Sequence, residues 1–285
     1  MTRTAGIIGL GLIGGSFARV CKNAGLRVIG ADICPDTRRA AFAAGIADEV
    51  SAEPAAVCKA DEILIATPVG TFGDIFSAVA GTLSPSAVLF DGGSCKRRAA
   101  ELAAKHLGAK AGRFVPSHPV AGGEDSGFAA SSADLFRGCW TVLCPARSDE
   151  DAAAAAKAAW KRAGAQIAVM TTREHDAIFA AVSHLPHLLS FALMESLRAD
   201  SGGEGALRYA AGGFRDFTRI AGSHPTMWRD ICLQNGDELL SASARFRRQL
   251  ESFEQAIVKK DGAALKNKFA AARALRRKWR EDLEK

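Results

Sequence analysis

A few side chains in this 285-residue sequence combine a reactive type with a telling place. His118 stands in Ser117-His118-Pro119-Val120-Ala121-Gly122, just past a short apolar run. A neutral imidazole near pH 7 can take a proton from a hydroxyl there, or it can simply tie its loop by hydrogen bonding. Ser94, in Asp91-Gly92-Gly93-Ser94-Cys95-Lys96, follows another apolar run. It can hydrogen-bond the same hydroxyl, and it also suits the N-cap of a following helix. Arg219 lies in Phe217-Thr218-Arg219-Ile220-Ala221, with Asp216 three residues earlier on one helical face. A guanidinium held this way suits a carboxylate ligand, or a structural pair with Asp216. His184 and His187 fall at i, i+3 in Ser183-His184-Leu185-Pro186-His187. No third ligand motif accompanies them, so they read as polar ligand contacts or helix packing, and no metal site is expected.

The turn these residues must face is Gly6-Ile7-Ile8-Gly9-Leu10-Gly11-Leu12-Ile13-Gly14-Gly15-Ser16. An apolar run enters it and a helix-like run leaves it, which is the setting for a dinucleotide pyrophosphate. Gly9 makes the tight turn, Gly11 admits the phosphates, and Gly14 lets the helix pack on the sheet. A second apolar run ends in Asp32, ~20 residues on, where a carboxylate can take hydrogen bonds from a ribose. The expected cofactor contacts are Gly9, Gly11, Leu12, Ile13, Gly14, Asp32, Thr67 and Pro68.

Residues 4–9, 26–32, 62–66, 86–90 and 139–143 read as short buried strands, and 113–117 and 166–170 could add edge strands. Ala-rich helical stretches near 13–24, 36–44, 70–82, 95–107 and 149–163 alternate with them. Such alternation predicts an α/β, Rossmann-type, doubly wound parallel sheet, with ligands at the carboxyl ends of its strands. The segments Ala66-Thr67-Pro68-Val69-Gly70, 91–96 and 117–124 should then line one crevice with the glycine turn. Beyond residue 172 strand signals cease. Residues 173–200 form an apolar helical stretch that Pro186 should interrupt or kink. Two further stretches, about 224–260 and 262–283, break at Asp261-Gly262. The expected division is residues 1–172, binding a dinucleotide, and residues 173–285, all helical, binding substrate and dimerising. An all-helical half this thin completes its core with a second copy, so a homodimer is expected.

No apolar run reaches the ~18 residues that span a bilayer, and too little precedes the first strand for a signal peptide. The seven cysteines form no C-x-x-C pair, their number is odd, and they do not cluster with the six histidines. Reduced thiols and a cytoplasmic location are expected. From Arg245 to Lys285 thirteen basic residues face six acidic ones, while the whole chain carries only +6. Apolar residues interleave these charges and no base-stacking module accompanies them, so they read as a solvated helical face and not as a nucleic-acid site.

Taken in order, these segments resemble the prephenate/arogenate dehydrogenase family of tyrosine biosynthesis over nearly the full length. The glycine turn is widely shared. The His-Pro-x-x-Gly loop at 118, the His-Leu-Pro-His segment and Asp216-Phe217-Thr218-Arg219-Ile220-Ala221 are specific together. The resemblance implies His118 as the catalytic histidine, with Ser94 contacting the same hydroxyl. It implies His187 and Arg219 as substrate-binding, and places Glu124, Gly213, Asp216 and Trp228 at the border of the site, with Trp228 reaching toward a partner subunit. The implied reaction is oxidative decarboxylation of a cyclohexadienyl ring that carries a C4 hydroxyl and a C1 carboxylate. Hydride passes to NAD(P) with no metal needed. Neither chorismate mutase helices nor a regulatory domain flank the matched segments, so any tyrosine feedback is expected at the active site.

Asp32 would repel a 2′-phosphate, which favours NAD, although Arg38 or Arg39 could leave some tolerance of NADP. Asp125 could favour the ammonium of arogenate, or simply face solvent. Two other readings keep the glycine turn. A β-hydroxyacid-type or imine-reducing dehydrogenase would work with a different group, often lysine. A non-enzymatic dinucleotide sensor would have no use for His118, Ser94 and Arg219 together.

Overall fold

The computed structural model describes residues 2–122, 125–200 and 202–283. Its first half alternates β1 (Thr4–Ile8), α1 (Leu12–Asn23), β2 (Arg27–Ala31), α2 (Pro35–Ala43), β3 (Glu49–Ser51), β4 (Glu62–Ile65), α3 (Phe72–Ala80), β5 (Val88–Asp91), α4 (Arg97–Leu107) and β6 (Phe114–Val115). These six strands form one parallel sheet in the order β3-β2-β1-β4-β5-β6. The strand order reverses between β1 and β4, which opens a crevice at their carboxyl ends. The core lies on both faces of the sheet, and the two-residue period of a strand divides it. Leu64 packs with Phe17, Phe90 and Trp160, whereas Ile63 and Ile65 pack with Phe72, Phe76 and Phe114. Edge-to-face contacts order the first group, with Phe17 and Trp160 rings 5.1 Å apart.

The strands expected at 139–143 and 166–170 do not extend this sheet. β7 (Ser117–Pro119), β8 (Trp140–Leu143) and β9 (Gln166–Val169) form a separate three-stranded sheet. Pro116 explains the switch. It has no N–H to continue the β6 ladder, and its carbonyl accepts Cys144 N–H at 2.8 Å instead. β7 then pairs antiparallel with β8, and β8 parallel with β9. The edge strand β3 escaped the sequence reading because its three residues, Glu49-Val50-Ser51, carry no apolar pattern. α5 (Glu150–Arg162) joins β8 to β9.

After β9 every regular element is helical among the described residues: α6 (Thr172–Phe179), a π-helical turn (Ala180–His184), α7 (Leu185–Ala199), α8 (Gly203–Ala206), α9 (Gly212–Thr218), α10 (Pro225–Gln234), α11 (Gly236–Val258) and α12 (Gly262–Leu283). Thr171 and Glu174 form a reciprocal capping box at the start of α6. Against the sequence expectation, Thr172–Ala199 is long and apolar enough, by length and composition, to cross a membrane. Within it His175, Asp176 and His184 are buried, and each is hydrogen-bonded within the protein.

By compactness the chain divides into residues 1–238 and 239–285. Within the second unit α12 folds back on α11. Phe253 stacks on Phe269 at 5.4 Å, and Lys268 donates to Ser252 Oγ at 2.7 Å. The chain reverses through Lys260, at φ 53°, and the Asp261 carboxylate caps α12 by accepting Ala264 N–H at 2.9 Å.

Candidate active site

The glycine turn is shaped by close packing. Gly9 has φ +90°, and a Cβ there would lie 2.7 Å from the Ala66 carbonyl oxygen. A Cβ at Gly14 would lie 1.8 Å from the Gly9 carbonyl oxygen, whereas one at Gly11 would meet nothing within 4 Å. Two glycines therefore close the turn, and the third leaves it open to a ligand. α1 starts at Leu12 with no acid in its first turn, so the N–H groups of Leu12, Ile13 and Gly14 present its positive end to that opening. Asp32 braces the turn, accepting Leu10 N–H at 2.7 Å and Cys34 N–H at 2.8 Å, and each oxygen keeps a lone pair for a ribose hydroxyl. Arg38 donates to the carbonyls of Asp32 and Ile33, at 2.6 and 3.0 Å, and Arg39 is paired with Asp36. Thr67 bonds Thr71 at 2.8 Å, and Pro68 is exposed beside it at the end of β4. These residues fit a dinucleotide.

The predicted convergence of loops is present. A Cβ at Gly92 would lie 2.9 Å from Ile13 Cγ2 and 3.8 Å from Pro119, so the glycine turn, the loop after β5 and β7 meet. Ser94 sits half-buried in that loop and does not cap α4. The cap comes from Asp176 of α6, whose carboxylate accepts Lys96 N–H at 2.8 Å and Arg97 N–H at 2.9 Å.

Beneath the loop lies a buried ion pair between Lys96 and Asp91. Lys96 Nζ also donates to the Ser117 carbonyl at 2.6 Å, and Asp91 accepts Ser117 N–H at 2.8 Å and Gly93 N–H at 3.0 Å. Trp160 Nε1 donates to Ser117 Oγ at 3.1 Å. The backbone just before His118 is thus clamped from three sides. His118 itself is 9 % exposed, and its Nδ1 lies 2.8 Å from His175 Nε2. His175 Nδ1 lies 2.8 Å from Asp176 Oδ1, and Phe179 packs on both imidazoles, 4.6 Å from His118 and 4.4 Å from His175. Burial first, and then the charges of His175, Lys96 and His184, hold the His118 pKa well below its ordinary value. His118 is therefore a neutral imidazole at pH 7.

The π-helical turn widens the helix just before Pro186, where the missing N–H removes one bond from the regular ladder. His184 is buried, and Asn235 Nδ2 donates to its Nδ1 at 3.1 Å and to the Asp176 carbonyl at 2.8 Å. Burial pushes the His184 pKa down to about 4. His187 Nδ1 donates to the Ser183 carbonyl at 2.9 Å, and the ring stacks on Trp228 at 3.8 Å. Burial and the positive charge of Arg219 lower the His187 pKa. Trp228 thus lies against His187 of its own chain. It is held there by α10, whose Asp230 Oδ2 would touch a Cβ at Gly70 at 2.6 Å. Neither His184 Nε2 nor Trp228 Nε1 has a hydrogen-bond partner among the described residues. α9 ends at Thr218, so Arg219 opens a separate 3₁₀ turn and leaves the helical register expected with Asp216. Ser190 of α7 holds the end of α9 by donating to the Phe217 carbonyl at 3.0 Å. Gly213, Asp216 and Asp125 are exposed, and Glu124 lies outside the described residues.

Two family models match the chain: prephenate dehydrogenase, nucleotide-binding domain, over residues 17–169, and prephenate dehydrogenase, dimerization domain, over residues 171–271. The chain belongs to the prephenate dehydrogenase family. Within it, the chain is 34% identical over 285 residues to a cyclohexadienyl dehydrogenase of Zymomonas mobilis, covering 95% of this chain and 94% of that one. The structure of A. aeolicus prephenate dehydrogenase in complex with hydroxyphenyl propionate and NAD+ superposes with a TM-score of 0.91 at 34% identity, covering 98% of each chain. Synechocystis arogenate dehydrogenase superposes at 0.82 with 27% identity, covering 97% of this chain and 99% of that one.

For a prephenate dehydrogenase family member, this arrangement offers a neutral base beside a dinucleotide turn, with a cation and two buried N–H-bearing rings farther along. The sequence reading missed His175, Asp176, Asn235 and the Lys96–Asp91 pair. One signal for His175 was available, since it shares a helical face with Phe179 at i, i+4 in a segment that opens with a capping box.

Proposed function

We propose that this chain catalyses the oxidative decarboxylation of prephenate, arogenate or both, with NAD preferred and some tolerance of NADP. The observation that carries the reading is a buried, neutral His118 in the middle of β7, whose Pro119 lies by the loop after β5 that meets the glycine turn. Gly9, Gly11, Leu12, Ile13 and Gly14 would hold the pyrophosphate, Asp32 the adenosine ribose, and Thr67 and Pro68 the crevice wall. When bound, NAD supplies the hydride acceptor. His118 takes the proton of the C4 hydroxyl as C4 loses its hydrogen, and Ser94 hydrogen-bonds the same oxygen. The C1 carboxylate leaves as CO2, the ring becomes aromatic, and the proton returns from His118 to the phenolic oxygen. Arg219 and His187 hold a substrate carboxylate, with Glu124, Gly213, Asp216 and Trp228 at the border.

Arg38 is spent on backbone carbonyls and Arg39 on Asp36, so the Asp32 carboxylate faces an incoming 2′-phosphate with little relief. Lys96 is committed to Asp91 and Ser117, which speaks against a lysine-based β-hydroxyacid chemistry at this site. Residues 1–172 are the cofactor domain and 173–285 the substrate and dimerisation domain. The dimerisation family model and the exposed apolar residues Val182, Tyr209 and Leu233, with Val258, Leu275 and Trp279 in the second unit, support a homodimer.

Absorbance at 340 nm with NAD and prephenate, then arogenate, tests the activity. Repeating it with NADP compares kcat/KM for the two cofactors. Turnover of at least one substrate, faster with NAD, is expected. Cofactor binding without turnover of either would return the sensor or the other dehydrogenase reading.

A further inference from the structure

We propose that His175 and Asp176 are positioning residues that lock His118 in the tautomer whose Nε2 carries the lone pair. This rests on His118 being the base proposed above, but the tautomer itself is a property of the free protein. The Asp176 carboxylate already accepts the backbone N–H groups of Lys96 and Arg97, an arrangement that favours its ionised form. An ionised carboxylate can only accept, so the proton in its 2.8 Å bond to His175 belongs to His175 Nδ1. A neutral His175 then has a bare Nε2, which can only accept in turn. The 2.8 Å contact between that atom and His118 Nδ1 therefore runs from His118 to His175. With its proton spent at Nδ1, His118 keeps a lone pair at Nε2 for a substrate hydroxyl.

The surroundings reinforce this assignment. His175 and His118 are both buried, and burial holds both imidazoles below their ordinary pKa, so each carries a single ring proton near neutral pH. The charged and titratable groups facing His118 are Lys96 with its partner Asp91, His175 with Asp176, and His184. Lys96 opposes a second proton on His118. Phe179, stacked on His175 and tilted against His118, fixes the two ring planes. Asp176 also caps α4, which carries the Ser94 loop at its N-terminal side, so one carboxylate sets both the base and the loop opposite it. When His118 takes up a proton at Nε2, its Nδ1–H donates more strongly to His175, which stabilises the cation formed during turnover.

The test is nuclear magnetic resonance of the full-length protein with 15N-labelled histidine, together with kinetics of His175→Phe and His175→Gln. In the wild type, long-range proton–nitrogen correlations should show His118 protonated at Nδ1 and bare at Nε2. His175→Phe should release that tautomer and lower kcat by roughly 10²-fold, with KM within about twofold, because a misdirected imidazole proton blocks the base. Loss of the acceptor at Nδ1 should also move the acid limb of kcat to lower pH, since the imidazolium loses more than the neutral ring. His175→Gln, whose amide oxygen can still accept from Nδ1, should restore part of both. A wild-type His118 protonated at Nε2, or an unchanged tautomer in His175→Phe, overturns the proposal. The wild-type spectrum reads the relay even if no variant folds. A chain that turns over neither substrate yet shows the predicted tautomer would fail on the reaction and not on the relay.

Discussion

His118 has its basicity set by burial more than by any one neighbour. Its pKa lies well below 6.5, so kcat/KM should stay level as pH falls through that value and drop only lower, unlike an exposed histidine. His118→Asn should lower kcat by ~10²–10⁴ near pH 7, the usual loss for a missing acid–base group. Near-normal turnover would remove His118 from the chemistry. Arg219 is argued differently, since it is exposed and its charge reaches His187. A group that binds substrate and transition state alike mainly sets KM. Arg219→Ala should therefore raise KM by about tenfold or more with a smaller change in kcat, and an unchanged KM would refute the binding role.

Among the elements, the turn from β1 to α1 separates packing from binding. Gly14 lies where a methyl group would enter the Gly9 carbonyl, so Gly14→Ala should cost about 1–3 kcal/mol or more of stability and weaken NAD binding with it. Gly11 faces open space and has φ −71°, which alanine accepts. Gly11→Ala should leave the melting temperature nearly unchanged while raising the Kd for NAD measured by titration calorimetry. Equal effects of the two substitutions on both readouts would show that the opening is not where the dinucleotide sits. The π-helical turn has a comparable positional role. It lets one helix bury His175 and Phe179 before the turn, while His184 at its end and His187 beyond it reach Asn235 and Trp228.

For the molecule as a whole, buried neutral histidines make stability depend on pH. His184 has its pKa depressed from 6.5 to about 4, and His118 and His175 are lowered as well. Below about 6.5 the unfolded chain binds protons that the folded chain refuses. The His184 contribution is complete above that pH and is lost as pH falls toward about 4, and His118 and His175 act in the same direction. Urea midpoints measured between pH 7 and 5 should therefore decline, and His184→Gln should flatten the slope. An identical slope in the variant would mean that His184 is not buried neutral. The exposed apolar residues of the helical half carry the other molecular prediction. Light scattering at micromolar concentration should give about twice the monomer mass, and a monomer would count against the proposed homodimer.

Local pattern was sufficient for the glycine turn, Asp32, the alternating strands and helices, and the break near Asp261. Each depends on spacing within a few residues, where sterics and periodicity act directly. The same pattern pointed to His118 as a loop histidine past a strand end, whereas it lies within β7, and it gave none of its partners. The second sheet needed Pro116 to end one ladder and Cys144, far along the chain, to begin another. The helix cap assigned to Ser94 went to Asp176, 80 residues from Lys96 in sequence. The placing of His175 against His118, 57 residues apart, was likewise decided only in three dimensions. Burial and long-range hydrogen bonding determine which atom of a histidine carries its proton, and neither is written in the neighbouring residues. Sequence alone determined what kind of ligand and chemistry the chain is built for. The tertiary structure decided which groups orient the base and how low its pKa lies, because those depend on what surrounds it.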